Sequence, residues 1–371
     1  MTGTDWAGPA LASLMERVAV TDAEVGDRFP LYADPDDGRW TTTGRGAWAG
    51  GFWAGLLWLR ARYTGAPADR VTAARCTARL ARWVDADTAT RGLILWYGTA
   101  LAADDDAAAA LRRAAAEACL SAHDRTLGLV PWGAAFGGPR LLARVDAVPG
   151  MLPLLAGAGP GGAAAAAAHL HRHLDLCLGE DLPRGPWPAP AWQFAGQRWQ
   201  PLADPLPGWS RGRAWLLLAV ADALLDPRLA QDRPDRLAQD RPDRLAEAAE
   251  RLLAHGGFLT GPLVPPAEAE RPDGPLDTSA AAITAVALLK LAEVPGPRAE
   301  HCSSRAVAIL SRLAERHLHA GAAPGAPAGR LVDGCYDAGK GLAVRHELVW
   351  GTFFLTLALA ALAGAVDITG V

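Results

Sequence analysis

The chain of 371 residues has little net charge, few tyrosines and no closely spaced cysteines. A formal net charge of -4 leaves no basic face with which to hold nucleic acid. The five cysteines, Cys76, Cys119, Cys177, Cys302 and Cys335, are odd in number and lack CxxC spacing, so they read as reduced structural thiols rather than a disulfide framework. Residues 1–20 lack a basic stretch followed by an apolar run, so no signal peptide is read there and a cytoplasmic protein is expected. There is no glycine-rich phosphate loop and no GxSxG elbow. His169, His171 and His173 look like a metal cluster, but residues two apart on a helix face different ways and no acidic partner completes a site. Neither metal nor cofactor is expected. Alternating β-branched runs are almost missing, which disfavours sheets as the framework.

What the chain does contain is helix-forming, with half of its residues hydrophobic. The periodicity predicts helices over 9–21, 50–63, 68–84, 92–102, 105–122, 146–157, 162–178, 209–225, 242–255, 277–292, 298–318 and 346–364. Odd members are amphipathic: over 71–84, Arg75, Arg79 and Arg82 form a polar stripe. Even members, such as 216–225 and 280–291, are apolar all round and must be enclosed. Strict alternation implies an inner ring of six helices inside an outer ring of six. That is an all-α (α/α)6 barrel of six helical hairpins, read as one domain over residues 1–371. The uncharged stretch 348–366 fits an enclosed helix better than a membrane span, so no membrane partner is expected.

Proline and glycine mark the connections. The loop over 182–208 is rich in Pro and Trp and too apolar for a free linker; a second runs from 256 to 276. Residues 229–236 and 237–244 both read LAQDRPDR, a charged tandem duplication taken as a surface insertion.

Unusual residues gather where the even helices start. The second opens Trp48-Ala-Gly-Gly-Phe-Trp-Ala-Gly55, the sixth at Asp146, and the eighth Trp209-Ser-Arg-Gly-Arg-Ala-Trp215. The tenth opens at Asp277 and the twelfth His346-Glu-Leu-Val-Trp-Gly351. Inner helices of an up-down ring point the same way, so these starts meet at one end and can line one pocket. Helix N-termini also favour anionic ligands. Each residue has a plainer use: Asp146 and Asp277 as helix N-caps, the tryptophans as core filler, and Arg211 in a structural ion pair. Fourteen tryptophans beside four tyrosines suit stacking on sugar rings or other flat faces.

These segments resemble glycoside hydrolase family 88, the unsaturated glucuronyl hydrolases. Trp48-Ala-Gly-Gly-Phe-Trp-Ala-Gly-Leu-Leu-Trp58 resembles WTSGFWPGxLW, and Trp209-Ser-Arg-Gly-Arg-Ala-Trp215 resembles WSRGQAW. The run from Asp277 to Ala292 is similar to DSSAAAIAASGLLELA, and Glu347-Leu-Val-Trp-Gly351 to the start of ESLIWGDYY. The resemblance implies removal of a 4,5-unsaturated uronic acid by protonation at C4 and addition of water at C5. This hydrates a vinyl ether and needs no two-carboxylate displacement at C1. By the resemblance of Val145-Asp-Ala-Val-Pro-Gly-Met-Leu-Pro-Leu-Leu155 to IDTMMNLPLL, Asp146 inherits the acid/base role, which asks for an apolar surround.

The departures are as informative. The family's second aspartate, in an HDxGF segment, is matched by Arg91-Gly-Leu-Ile-Leu95 and so falls on Gly92. The aspartate of GDYY is Thr352, and the family's histidine and glutamine have no clear equivalents over 187–208. The expected substrate-binding set around Asp146 is Trp48, Trp53, Arg91, Trp192, Trp209, Arg211, Trp215, Asp277, His346 and Trp350. The reading is a divergent hydrolase acting on a small unsaturated sugar or enol ether, in a biosynthetic setting. Two other readings stand beside it: an isomerase or cyclase that reuses protonation at Asp146, and a catalytically silent small-molecule-binding protein.

Overall fold

The computed structural model describes residues 5–102, 104–179, 187–230, 244–319 and 329–371. Its helices are α1 (Ala7–Val25), α2 (Gly50–Thr64), α3 (Pro67–Ala78), α4 (Asp106–Ser121), α5 (Met151–Ala156) and α6 (Gly162–Cys177). There follow α7 (Ser210–Leu225), the one-turn α8 (Pro227–Ala230), α9 (Arg244–His255), α10 (Thr278–Ala292), α11 (Ala299–Arg316) and α12 (Val349–Leu362). Between α3 and α4 a π-helical turn, Gly92–Trp96, takes the place of the predicted fourth helix. The inner ring runs α2, the Gly92–Trp96 turn, α5, α7, α10 and α12, and closes on α2. Outside it α1 packs on α12 and α2, α3 on α2, α4 and α6 on α5, α9 on α7, and α11 on α10. This is the (α/α)6 barrel.

Enclosure explains the two kinds of helix. Every residue from Thr278 to Leu291 of α10 is buried, as is every residue from Val349 to Ala360 of α12. In the outer α9 only Leu245, Ala248, Ala249, Leu252 and Leu253 are buried, the single stripe of a half-exposed helix. The apolar stretch after residue 348 is thus α12, held by α1, α2, α10 and α11. Among the described residues no helix is long and apolar enough to cross a membrane. All five cysteines are free and buried; burial pushes the Cys76 thiol up to about 12 and the Cys119 thiol to about 11.

The sequence reading underestimated strands. Among the described residues there are three small sheets: β1 (Phe29–Ala33), β2 (Trp40–Thr43), β8 (Gly334–Asp337) and β9 (Leu342–Leu348) in the order β2-β1-β9-β8; β3 (Leu142–Arg144), β4 (Ala191–Ala195) and β5 (Arg198–Pro201) in sequence order; and β6 (Leu318–His319) with β7 (Arg330–Leu331). They lie in the connections, where short strands satisfy backbone groups that no helix reaches. His346 and Glu347 therefore belong to β9, and the twelfth helix starts at Val349. Glu347 is fully buried and pairs with Arg17 of α1 at 2.8 Å, fastening β9 to the outer ring. Residues 231–243, most of the tandem duplication, and 182–186 of the Pro/Trp-rich loop lie outside the described residues.

Candidate active site

Asp146 sits on a 3-10 turn, Val145–Ala147, directly after β3. The β3–β4 pairing sets its height, with Arg144 opposite Ala191 and the Val145 amide donating to the Pro190 carbonyl at 3.0 Å. Arg144 donates to both carboxylate oxygens, Nε to Oδ1 at 3.0 Å and Nη2 to Oδ2 at 3.2 Å. Its guanidinium also stacks over Trp132 at 4.6 Å. Burial works against the Arg144 charge, but the Asp146 carboxylate, with Asp204 and Tyr336 farther off, keeps its pKa above the ordinary arginine value. The Asp146 side chain remains 18% exposed and can be reached from solvent. It is not an N-cap: neither this turn nor α5 takes a side-chain cap, so the plainer use fails here. The expected apolar surround is also corrected, since a cation occupies both oxygens.

Two histidines support the turn from behind. The Val130 amide donates to His169 Nδ1 at 3.1 Å, so the remaining N–H at Nε2 points to the Ala147 carbonyl, 3.3 Å away. Its ring lies 4.5 Å from that of His173. Desolvation, aided by His173, drives the His169 pKa well below the usual value, and desolvation takes His173 down to about 4. Both rings are neutral structural parts. Among the described residues no group of three His, Cys, Asp or Glu side chains converges as a metal site.

Opposite the carboxylate stands an aromatic wall that β8 and β9 complete. Tyr336 accepts a hydrogen bond from Trp48 Nε1 at 2.9 Å, leaving its own O–H to donate elsewhere. Trp48 packs against Trp350 at 4.6 Å between centroids, Tyr336 against Trp350 at 5.2 Å, and Tyr32 edge-on to His346 at 5.5 Å. Desolvation raises the Tyr336 pKa; Trp48 and Arg211 oppose the rise, and Asp146 adds to it. The Tyr336 hydroxyl thus feels the charges of both Asp146 and Arg211, residues 65 apart in sequence.

Several expected contacts have other employment. Arg211 is buried; Nη1 donates to Asp277 Oδ2 at 2.5 Å and to the Cys335 carbonyl at 2.6 Å, and Nη2 to the Tyr336 carbonyl at 2.6 Å. It therefore positions Tyr336 rather than offering a free guanidinium. Asp277 is the N-cap of α10, its Oδ1 accepting from the Ser279 amide at 3.0 Å. Trp215 and Trp53 are core residues, Trp215 stacking on Phe52 at 6.2 Å. Trp350 is fully buried behind Trp48. Arg91 is held by its own segment, donating to the Thr88 and Val84 carbonyls, both at 3.1 Å. Trp192 turns its Nε1 to the Ala189 carbonyl at 2.8 Å, and Trp209 stacks on Arg211 at 5.1 Å. His346 bonds through Nδ1 to the Val344 carbonyl at 2.8 Å. Partly exposed surface at the wall thus comes from Tyr32, Trp48, Trp209, Tyr336 and His346.

Gly92 needs a second correction. A Cβ there would lie 2.4 Å from the Met151 amide nitrogen and 2.8 Å from the Pro149 carbonyl oxygen, leaving no room for any side chain. The facing Gly150 is equally tight, its φ of +71° backed by a Cβ approach of 2.4 Å to the Gly92 carbonyl oxygen. Position 92 therefore matches the glycine of HDxGF, which moves the missing aspartate to Thr90. The Thr90 hydroxyl is buried and bonded to Thr88 Oγ1 at 2.9 Å. The carboxylate is missing in either register. Sequence reasoning overlooked Arg144, Tyr336 and Lys340. Arg144 was within reach of sequence reasoning only as the basic residue two before Asp146; the 3-10 turn that folds the carboxylate back onto it was not legible. Lys340 bridges Asp337 at 2.7 Å and Asp204 at 3.1 Å, joining the β8–β9 turn to the loop after β5.

Comparison with solved structures finds a similar barrel in unsaturated glucuronyl hydrolases. The enzyme from Bacillus sp. GL1, described as responsible for degradation of glycosaminoglycan, is 23% identical, with 96% of each chain covered and a TM-score of 0.81. The enzyme from Streptococcus agalactiae is 16% identical over 100% of this chain and 94% of its own, also at 0.81. A mutant of the latter, complexed with dGlcA-GalNAc6S, is 16% identical over 97% and 92%, with a TM-score of 0.74. No family model matches the chain, and no curated protein matches it.

Proposed function

We propose that the chain is a hydrolase of the vinyl-ether type, with Asp146 as acid and then base. The observation that carries this reading is a solvent-reachable carboxylate, directly after β3, held on both oxygens by Arg144. The fold shared with enzymes that act on unsaturated uronides supports it. A protonated oxygen is itself a donor and cannot also accept from a guanidinium N–H along the same line. Asp146 therefore becomes a proton donor only when Arg144 turns away from one oxygen. A substrate carboxylate is a fitting receiver for that guanidinium, because arginine binds carboxylates with two parallel bonds. Asp146 then gives its proton to the β-carbon of the enol ether. The resulting oxocarbenium carbon takes water, and the water's second proton returns to Asp146. The hemiketal then opens, its hydroxyl proton passing to the departing alcohol oxygen, and Asp146 is left in its acid form. Trp48 and Trp209 offer flat faces for the sugar ring or a more apolar body.

Asp146→Asn tests the assignment. Turnover of an unsaturated uronide should fall by about 10²–10⁴, while the protein stays folded with a melting temperature lowered only by loss of the Arg144 pair, about 1–3 kcal/mol. A fully active variant would remove Asp146 from the reaction. The absent second carboxylate favours an isomerase or cyclase as the alternative. Reaction in ¹⁸O-labelled water separates the two, because only hydration leaves the label in the product.

A further inference from the structure

We propose that a second cavity, outside the inner ring, is a binding site for a small carboxylic acid with an apolar body. It lies under the 256–276 loop between α7, α9, α10 and α11, with a volume of about 370 Å³, within the range of small-molecule sites. Phe258, Leu263 and Ile309 give it apolar walls, and Ser210 and Arg213 meet there from the first turn of α7. Arg213 has no ion-pair partner among the described residues, and its Nε is fully buried without a hydrogen bond. Nη2 donates to Ser210 Oγ at 3.2 Å, and the guanidinium stacks on Trp187 at 5.3 Å. Burial lowers its pKa, and Glu270 counters this only by its nearby charge. A desolvated guanidinium with an unused donor lacks what an anion supplies. The neighbouring Arg211 is turned the other way, onto Asp277 and β8, so the two arginines serve different spaces.

The cavity is preformed. Its roof is tied down by the Ser210 amide to the Ala267 carbonyl at 3.0 Å, the Ala267 amide to the Pro275 carbonyl at 2.7 Å, and Arg305 to the Phe258 carbonyl at 2.9 Å. The Ser210 hydroxyl donates to the Pro266 carbonyl at 2.7 Å, which leaves its lone pairs to Arg213 Nη2 and fixes the guanidinium at the cavity wall. A largely apolar lining in which Arg213 is the one permanent cation, with His255 also on the wall, suits an acid whose carboxylate is its only charge. This proposal does not depend on the reaction at Asp146.

The test uses 4-phenylbutyrate and its uncharged twin 4-phenylbutyramide, titrated calorimetrically into the full chain. The acid should bind one-to-one, at least tenfold more tightly than the amide. Arg213→Met should weaken the acid at least tenfold and leave the amide alone; Arg213→Lys should restore part of the loss. Asp146→Asn should bind both as the parent does. Equal affinity for acid and amide, an Arg213→Met variant that binds the acid as the parent does, or no binding at millimolar concentration would each overturn the proposal.

Discussion

Asp146 and Gly92 are linked through a few atoms of backbone, and that link constrains both. The turn after Asp146 passes Pro149 and Gly150 against Gly92 so closely that neither glycine has space for a Cβ. A methyl group at position 92 would therefore push on the segment that holds the carboxylate, and a flexible side chain cannot absorb the strain because the obstacles are backbone atoms. Gly92→Ala is expected to lose about 3 kcal/mol, the upper part of the usual range for overpacking, measured by urea unfolding. Activity should fall with stability, since the same shift moves Asp146. Unchanged stability would mean that 149–151 yields freely, and that the fit between the two glycines is incidental. An aspartate cannot be restored at 92 for the same reason; Thr90 is the position at which to try it.

At the scale of elements, the β8–β9 hairpin delivers Tyr336 and His346 to the wall, and its base carries a carboxylate bonded to an imidazole. His317 at the end of α11 bonds Asp333 Oδ2 at 2.8 Å, with Arg345 Nε at 3.8 Å from the other oxygen. The hydrogen bond from His317, reinforced by its charge and that of Arg345, holds the Asp333 carboxyl below the usual range against the effect of burial. Folded Asp333 thus binds its proton less tightly than the unfolded chain does. The stabilisation is present above the unfolded pKa of about 3.9 and is lost as pH falls through the lowered folded value. Asp333→Asn should cost about 1 kcal/mol at neutral pH, with the melting difference closing below about pH 4. Asparagine tolerates the left-handed backbone at this residue, φ +60°, so no strain is added. A gap that persists at low pH would exclude the carboxylate as its origin. The hairpin was hidden from sequence reading because its strands are short and lie beside an apolar helix, so 346–348 read as the first turn of α12. The helices themselves were legible, since enclosure leaves α10 and α12 apolar on every side while outer helices keep one stripe.

Across the whole molecule, ring order followed from alternation of two helix types, but side-chain duties did not. Arg211 and Asp277 lie at the expected end, yet they bind each other and the backbone of β8. Trp53, Trp215 and Trp350 lie there too, and are buried. A helix start fixes which end of a barrel a residue occupies, whereas its rotamer and neighbours decide whether it faces ligand. What is left for a substrate is Asp146 with Arg144, the Tyr336 hydroxyl, and the partly exposed faces of Tyr32, Trp48, Trp209 and His346. This set has one carboxylate, one cation already paired to it, and few free polar partners for sugar hydroxyls. Buried hydroxyls that find no partner lose affinity, and a site built from aromatic faces rejects polar ligands on that account. Unsaturated chondroitin and hyaluronan disaccharides should therefore turn over weakly or not at all. A more apolar enol ether carrying one carboxylate should be preferred, and the comparison to make is kcat/KM for both on the same preparation. If the plain disaccharides turn over at ordinary enzyme rates, kcat of roughly 1–10³ s⁻¹, the missing second carboxylate matters little and the altered wall does not set the substrate.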